Sequence, residues 1–384
     1  MRLFFSVLKT GLISGSVMFF IPQAFAFQIN TADKSSAYHK KFCPPLKKAL
    51  KKAQFKYNCI ATDGSFNNIK LVGEDARQLG YAQLDLFALE KTMQGGKKLF
   101  HTLRDDIAKV CLFMVSKDKN IKSYGQVAAD PDKYKFVLPP LKSNHVGTFQ
   151  YLQQIDPKGL GTAKNISHVK NTDEAIEKVL SSSDDNLITM FVQFPDANDQ
   201  RFKNIVEKNG QFIPVIDRNI LRQDINGEKI YFAEDTQIAN PKWVKKGESL
   251  VTSCTPIVLF TGISKLVKDK TEQKDHTDLI KTVEALPLNE LQPKKGFLSA
   301  IWNKTKSISA TSVETMVKAS DQARQAAKPM VHKAREIGGQ AIDASKPYIN
   351  KAAEVGSKAM DKAGELAEQA KHKAQELMKK KEEQ

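Results

Sequence analysis

The run Tyr57-Asn58-Cys59-Ile60-Ala61-Thr62-Asp63-Gly64-Ser65-Phe66-Asn67-Asn68-Ile69, followed by Gly80-Tyr81-Ala82-Gln83-Leu84-Asp85, decides the fold. Tyr57 to Thr62 has the pattern of a short strand, and Asp63-Gly64-Ser65 that of a turn. Asn67-Asn68 then opens a helix at Ile69, and Ser65 and Asn67 are residue types that cap helix N-termini. The backbone N–H groups at such a start either are satisfied in an ordinary capped turn or receive an anionic or carbonyl group of a ligand.

The same alternation continues outward in both directions. Strand-like runs at Val110 to Ser116, Lys135 to Leu138, Leu187 to Phe194, Phe212 to Ile216 and Leu250 to Phe260 interleave with helical patterns. The helical patterns are Ser35 to Ala53, Ile69 to Leu79, Leu84 to Met93, Gly147 to Ile155, Thr172 to Leu180 and Asp199 to Lys208. Such alternation predicts an α/β fold with mostly parallel sheets. The length of this part fits two lobes better than one core. Near Leu286 to Lys294 the composition changes to an Ala-, Lys- and Glu-rich tail.

The chain has 384 residues, 41% hydrophobic and 27% charged, with a net charge of +16. This excludes a collagen-like, mucin-like or wholly disordered protein. Arg2 and Lys9 accompany an apolar run from Leu12 to Phe20, and Ala24-Phe25-Ala26 supplies a cleavage site, so residues 1–26 read as a signal peptide with Phe27 as the mature N-terminus. The apolar run is shorter than the ~20 residues of a membrane span. An exported protein makes nucleic acid an unsuitable partner for the basic charge. Four cysteines outside the signal, in an oxidising compartment, suggest two disulfides with three possible pairings. The pairing expected is Cys43–Cys59 with Cys111–Cys254. No Cys-x-x-Cys or Cys-x-x-His spacing supports a metal site.

Ala61 to Ile69 and Gly80 to Asp85, taken in order with Thr31-Ala32 before Ser35-Ser36-Ala37-Tyr38-His39, resemble type II periplasmic solute-binding proteins. The resemblance is nearest to the TAXI-family receptors of TRAP transporters. Lys109 to Val115 resembles the strand that crosses to the second lobe, and Leu250 to Leu259 the strand that returns. The resemblance spans roughly Phe27 to Leu286 and implies a two-lobed binding domain over residues 27–290. Lobe 1 is then about 27–113 with 255–290, and lobe 2 about 114–254. It also implies capture of an acidic amino acid or dicarboxylate for delivery to a membrane permease, with no cofactor. On this reading Cys43–Cys59 staples the first lobe and Cys111–Cys254 ties the two hinge strands together.

Ligands of α/β sheets sit beyond the carboxyl ends of the strands. The ligand-binding candidates are therefore Ser35, Ser36 and Tyr38 in the first loop, Ser65 and Asn67 in the second, and Gln83 and Asp85 in the third. Across the cleft stand Ser143, Asn144 and Thr148, with Phe194 and Asp196 after the strand from Met190 to Gln193. Asp85 either accepts from a ligand amine or caps the helix Leu86 to Thr92. Two departures stand out: the first loop, Asp33 to Ala37, lacks the family's glycines, and of the family's second-lobe turn only Ser143 and Thr148 can be matched. Loss of these glycines favours the alternative of a degenerate binding fold that acts as an envelope scaffold or lipid carrier. No His-Glu-x-x-His, Gly-x-Ser-x-Gly or phosphate loop occurs, so no enzyme is predicted. His145, beside Asn144, is the histidine placed in a predicted cleft loop.

Residues 291–384 read as a basic amphipathic, helical or partly disordered tail. Lys328-Pro329, Lys333-Ala334, Glu336 and Gly338 recur eighteen residues later as Lys346-Pro347, Lys351-Ala352, Glu354 and Gly356. Eighteen residues make five helical turns, so the repeat returns to one face. A membrane-surface arm, a helical spacer or partner-binding arm, and a solvated tail all fit. Phe297, Leu298, Ile301 and Trp302 among lysines look like an interfacial anchor or a staple onto the second lobe.

Overall fold

The computed structural model describes residues 27–34, 36–93, 99–225, 227–240, 248–293, 306–307 and 311–326. The expected signal peptide over residues 1–26, Ser35, the anchor-like Phe297 to Trp302 and the tail repeat lie outside them.

Lobe 1 begins with β1 (Phe27–Asn30), a π-type turn at Tyr38–Phe42, α1 (Cys43–Lys52), β2 (Tyr57–Ile60), α2 (Ser65–Glu74), β3 (Leu79–Gln83), α3 (Leu84–Met93) and β4 (Phe100–Arg104). The chain then crosses to lobe 2. There it forms β5 (Lys109–Ser116), α4 (Tyr124–Ala129), β6 (Lys135–Leu138), α5 (Asn144–Ile155), β7 (Ile166–His168), α6 (Thr172–Ser181), β8 (Leu187–Gln193), α7 (Gln200–Glu207), β9 (Gln211–Ile213) and α8 (Arg218–Leu221). A hairpin, β10 (Asp224–Ile225) and β11 (Glu228–Lys229), precedes β12 (Phe232–Ala239). The long β13 (Glu248–Gly262) returns the chain to lobe 1, which ends in α9 (Lys270–Ala285) and α10 (Leu288–Leu291). A short β14 (Lys306–Ser307) and a helix over residues 311–326 follow.

The fold is α/β and two-lobed. In lobe 1, β1 pairs in parallel with β2 and β3. In lobe 2, β6 pairs in parallel with β7 and β8. Each parallel trio is met by a reversed strand: β13 runs antiparallel to β3, and β5 antiparallel to β8. The two lobes are thus one β-α-β-α-β plan used twice. The parallel pattern expected from the sequence holds for these trios, whereas the crossing strands are antiparallel because each enters from the other lobe.

β13 joins the halves, pairing with β5 up to Pro256 and with β3 from Ile257. Eleven of its positions are buried in an unbroken run, as expected for a strand covered on both sides. One apolar core extends through both lobes, from Ile29, Phe42 and Phe260 to Phe136, Phe149 and Met190. Both expected disulfides form, Cys43–Cys59 within lobe 1 and Cys111–Cys254 across the register pair of β5 and β13. No cysteine is left free.

Three helix starts differ from the sequence reading, one of them α5, which is expected from Gly147 and begins at Asn144 behind the Ser143 cap. The helix expected from Ser35 opens as a π-type turn, and α1 proper starts at Cys43 with Pro44 and Pro45 in its first positions, where a missing N–H costs nothing. The helix expected from Ile69 starts at Ser65, because Gly64 adopts φ +106° and turns the chain in one residue. The tail is also divided. Lys306 and Ser307 pair with β12, and residues 311–326 dock on lobe 2 with Val317 and Ser320 buried. No helix among the described residues is long and apolar enough to cross a membrane.

Candidate functional site

A cleft of 910 Å³ lies between the lobes, lined by the segments that follow β1, β2 and β3 on one side and β6, β7 and β8 on the other. Every one of these is the carboxyl end of a parallel strand, where α/β sheets place their ligands.

Among the sequence-predicted residues, Ser36, Tyr38, Gln83, Ser143, Asn144, Phe194 and Asp196 line this cleft. Tyr38 is buried against Tyr81 and against Phe194 from the other lobe, with ring centroids 5.9 and 6.3 Å away. Burial raises its hydroxyl pKa well above the phenol range, with Asp85 adding to the effect, so it stays a neutral group. Ser143 Oγ accepts from the Val146 N–H and caps α5. Asp196 accepts from the Asn198 N–H in the loop after β8.

Ser65, Asn67, Asp85 and Thr148 do not line the cleft. Ser65 is buried, its N–H donating to Asn144 Oδ1 of lobe 2 at 2.9 Å and its Oγ accepting from the Gln83 N–H. Asn68, one residue beyond the predicted Asn67, is the structural amide of this turn. It donates to the carbonyls of Thr31 and Tyr81 and accepts from Thr62 Oγ1 at 2.6 Å, lacing β1, β2 and β3 together.

Asp85 and Thr148 bond to each other behind the cleft. Asp85 Oδ2 accepts from Thr148 Oγ1 at 2.6 Å and from the Tyr231 hydroxyl at 2.9 Å, while Oδ1 accepts from the Leu86 N–H. Asp85 therefore caps its own helix and reaches two hydroxyls of the opposite lobe. Burial raises its pKa, opposed by these three hydrogen bonds. Gly147 completes the junction: a Cβ there would lie 2.5 Å from Phe66 and 2.7 Å from Leu86. Likewise a Cβ on Gly64 would lie 2.7 Å from Asn144 Oδ1.

Several cleft residues escape the sequence reading. Lys40 and Lys142 are exposed at the rim with Asp63. Arg201, on α7, donates to Asp173 Oδ1 at 2.6 Å and to Gln193 Oε1 at 3.1 Å. Gln193 ends β8 as Gln83 ends β3, so the repeated lobe plan is the signal that could have found it. His145 does line the cleft, its Nδ1 accepting from the Val192 N–H at 3.0 Å. Burial, and then the Arg201 charge, push its pKa down to about 4, so near neutral pH the ring is uncharged with its proton on Nε2. Two amide atoms in the cleft wall, Gln83 Oε1 and Gln193 Nε2, are buried without a hydrogen-bond partner among the described residues.

No family model matches the sequence, and no curated protein does. Solved structures similar to the chain include XAC2383 from Xanthomonas citri bound to ATP, at 9% identity and TM-score 0.41, covering 78% of this chain and 98% of that one. A second is PhnD1 from Prochlorococcus marinus in complex with methylphosphonate, at 12% identity and TM-score 0.40, covering 79% and 98%. A third is the GluR0 ligand-binding core with L-glutamate, at 8% identity and TM-score 0.35, covering 77% and 98%.

Proposed function

We propose that the protein is an exported solute-binding protein of the TAXI kind, which captures a small carboxylate-bearing solute between its lobes and delivers it to a membrane permease. The observation that carries this reading is the 910 Å³ cleft formed by facing strand ends of two lobes joined through crossing strands. A solute that touches both walls favours the closed arrangement by its contacts to both, and closure presents a defined surface to a partner. Lys40 and Lys142, exposed at the rim, favour a carboxylate on the solute. Ser36, Ser143 and the amides orient a solute without reacting with it, which suits reversible capture rather than catalysis. Two disulfides are at home in the periplasm.

One observation favours a second reading. Asn144 Oδ1 occupies the Ser65 N–H, the helix-start donor a ligand would otherwise take. A cleft latched by its own side chains suits a degenerate binding fold working as an envelope scaffold or lipid carrier through the basic tail, which would lie on a membrane surface or a helical partner.

Native mass spectrometry of protein purified from its own envelope separates the two. The full-length chain is compared with one ending at residue 326. A polar solute retained by both forms supports the receptor. An empty cleft in both, with liposome binding by the full-length form alone, overturns it in favour of the scaffold.

A further inference from the structure

We infer that the captured solute is a short peptide, seated with a peptide unit between Gln83 and Gln193 and its charged ends toward the rim of the cleft. This rests on the solute-binding reading above and names the solute that reading leaves open.

Gln83 and Gln193 are the last residues of β3 and β8, equivalent strands of the two lobes, and both line the cleft. They are 2% and 9% exposed, yet Gln83 Oε1 and Gln193 Nε2 have no partner among the described residues. Buried polar atoms are nearly always paired, so each points to a group supplied from outside. For Gln193 the orientation of the amide is fixed by its neighbour. Arg201 offers only donors, so the atom 3.1 Å from its Nη1 is the oxygen and the atom left over is the donor nitrogen. The cleft therefore presents one acceptor from lobe 1 and one donor from lobe 2. A peptide unit answers both, its N–H to Gln83 Oε1 and its C=O to Gln193 Nε2.

The charge around these amides agrees. Arg201 is already paired with Asp173, and His145, held by the Val192 N–H, is neutral near pH 7. The wall beside β8 is thus a set of donors suited to an uncharged carbonyl. A dicarboxylate brings acceptors alone and would leave Gln83 Oε1 facing an oxygen. Ionic groups of both signs, Lys40, Lys142 and Asp63, stand at the exposed rim, where the separated termini of a zwitterion can reach them. The volume of 910 Å³ lies near the top of the range of roughly 300–1,000 Å³ for small-molecule clefts, which suits a solute of two or three residues.

Titration calorimetry on the full mature chain tests this with L-alanyl-L-alanine, tri-L-alanine, L-glutamate and succinate. The peptides are expected to bind, and L-alanyl-L-lactate, whose ester oxygen replaces the peptide N–H, to bind roughly tenfold more weakly than the dipeptide. Gln193→Leu is expected to weaken the dipeptide by a similar factor, and Gln83→Leu to abolish the difference between amide and ester. Should either variant fail to fold, the amide-to-ester comparison on the unaltered protein still decides. Binding of L-glutamate or succinate with neither peptide overturns the inference and leaves the receptor standing. Equal affinity for ester and amide overturns the seating at Gln83. No binding by any of the four overturns the peptide, and an empty cleft in the native mass spectrum then removes the receptor reading as well.

Discussion

Asp85 is fully buried, and its carboxylate is the shared acceptor for Thr148 and Tyr231 of the opposite lobe. Asp85→Ala leaves two hydroxyls and the Leu86 N–H without an acceptor, and should lower stability by about 3 kcal/mol in chemical denaturation, with Asp85→Asn less damaging. The short sequence motif places this residue in the first turn of α3, but not its role. Its partners lie 63 and 146 residues away, and a local pattern carries no information about them. His276 makes a separate prediction. Buried between Thr261 Oγ1 and Ser264 Oγ, it has its pKa pushed down to about 4 by burial, with His101 and Arg77 lowering it and Asp75 opposing. A depressed histidine pKa means that the unfolded chain binds the proton more tightly. The stability it confers is present above about pH 6.5 and is lost as pH falls toward 4, by up to about 3 kcal/mol. Unfolding curves across that window should flatten in His276→Gln.

At the scale of elements, the helix over residues 311–326 is keyed into lobe 2 by charge. Arg324 donates to both oxygens of Asp156, at 3.1 and 2.7 Å, and lies 3.1 Å from Asp217, two acids almost without exposure. Ser320 Oγ accepts from the Gly125 N–H, and a Cβ on Gly125 would lie 2.1 Å from the Ser320 carbonyl oxygen. Arg324→Met strands two buried carboxylates and should destabilise lobe 2 by about 3–5 kcal/mol. Gly125→Ala should release the helix, and limited proteolysis would then cut within residues 311–326 in the variant before the native protein. This docking is hard to read in the sequence, since Arg324 looks like any base of the tail and its acids sit in distant turns. Strands β5 and β8 were legible because burial on both faces makes them nearly continuous apolar runs, and β13 through its segment Ile257 to Phe260. By contrast β12 carries Glu234 and Asp235, and α9 buries only His276, Leu279 and Val283, so neither shows a pattern strong enough to stand out. In the site, the turn residues showed themselves by type, whereas Arg201, Lys142 and Gln193 became cleft residues only through the pairing of the two lobes.

For the whole molecule, the solute-binding reading proposed above makes the direct bonds between the lobes the terms that set the balance between open and closed forms. The Ser65–Asn144 and Asp85–Thr148 hydrogen bonds are made across the junction, where a neutral bond contributes about 1 kcal/mol and one to a carboxylate about 1.5–3 kcal/mol. Asn144→Ala combined with Thr148→Val should shift the lobe equilibrium toward the open form by roughly tenfold or more. Small-angle scattering reads this as an increased radius of gyration, and an unchanged profile would mean that the shared core alone sets the arrangement. The bond between Cys111 and Cys254 bears on a different event. It fastens the outgoing and returning strands of one chain at the place where they pass between lobes, across 143 residues of sequence. While it is closed, the two crossing strands can move only as a pair, so a second copy cannot replace either of them singly. Oxidation thus fixes which returning strand lies beside which outgoing one, and the reduced chain is the form open to exchange of a single strand.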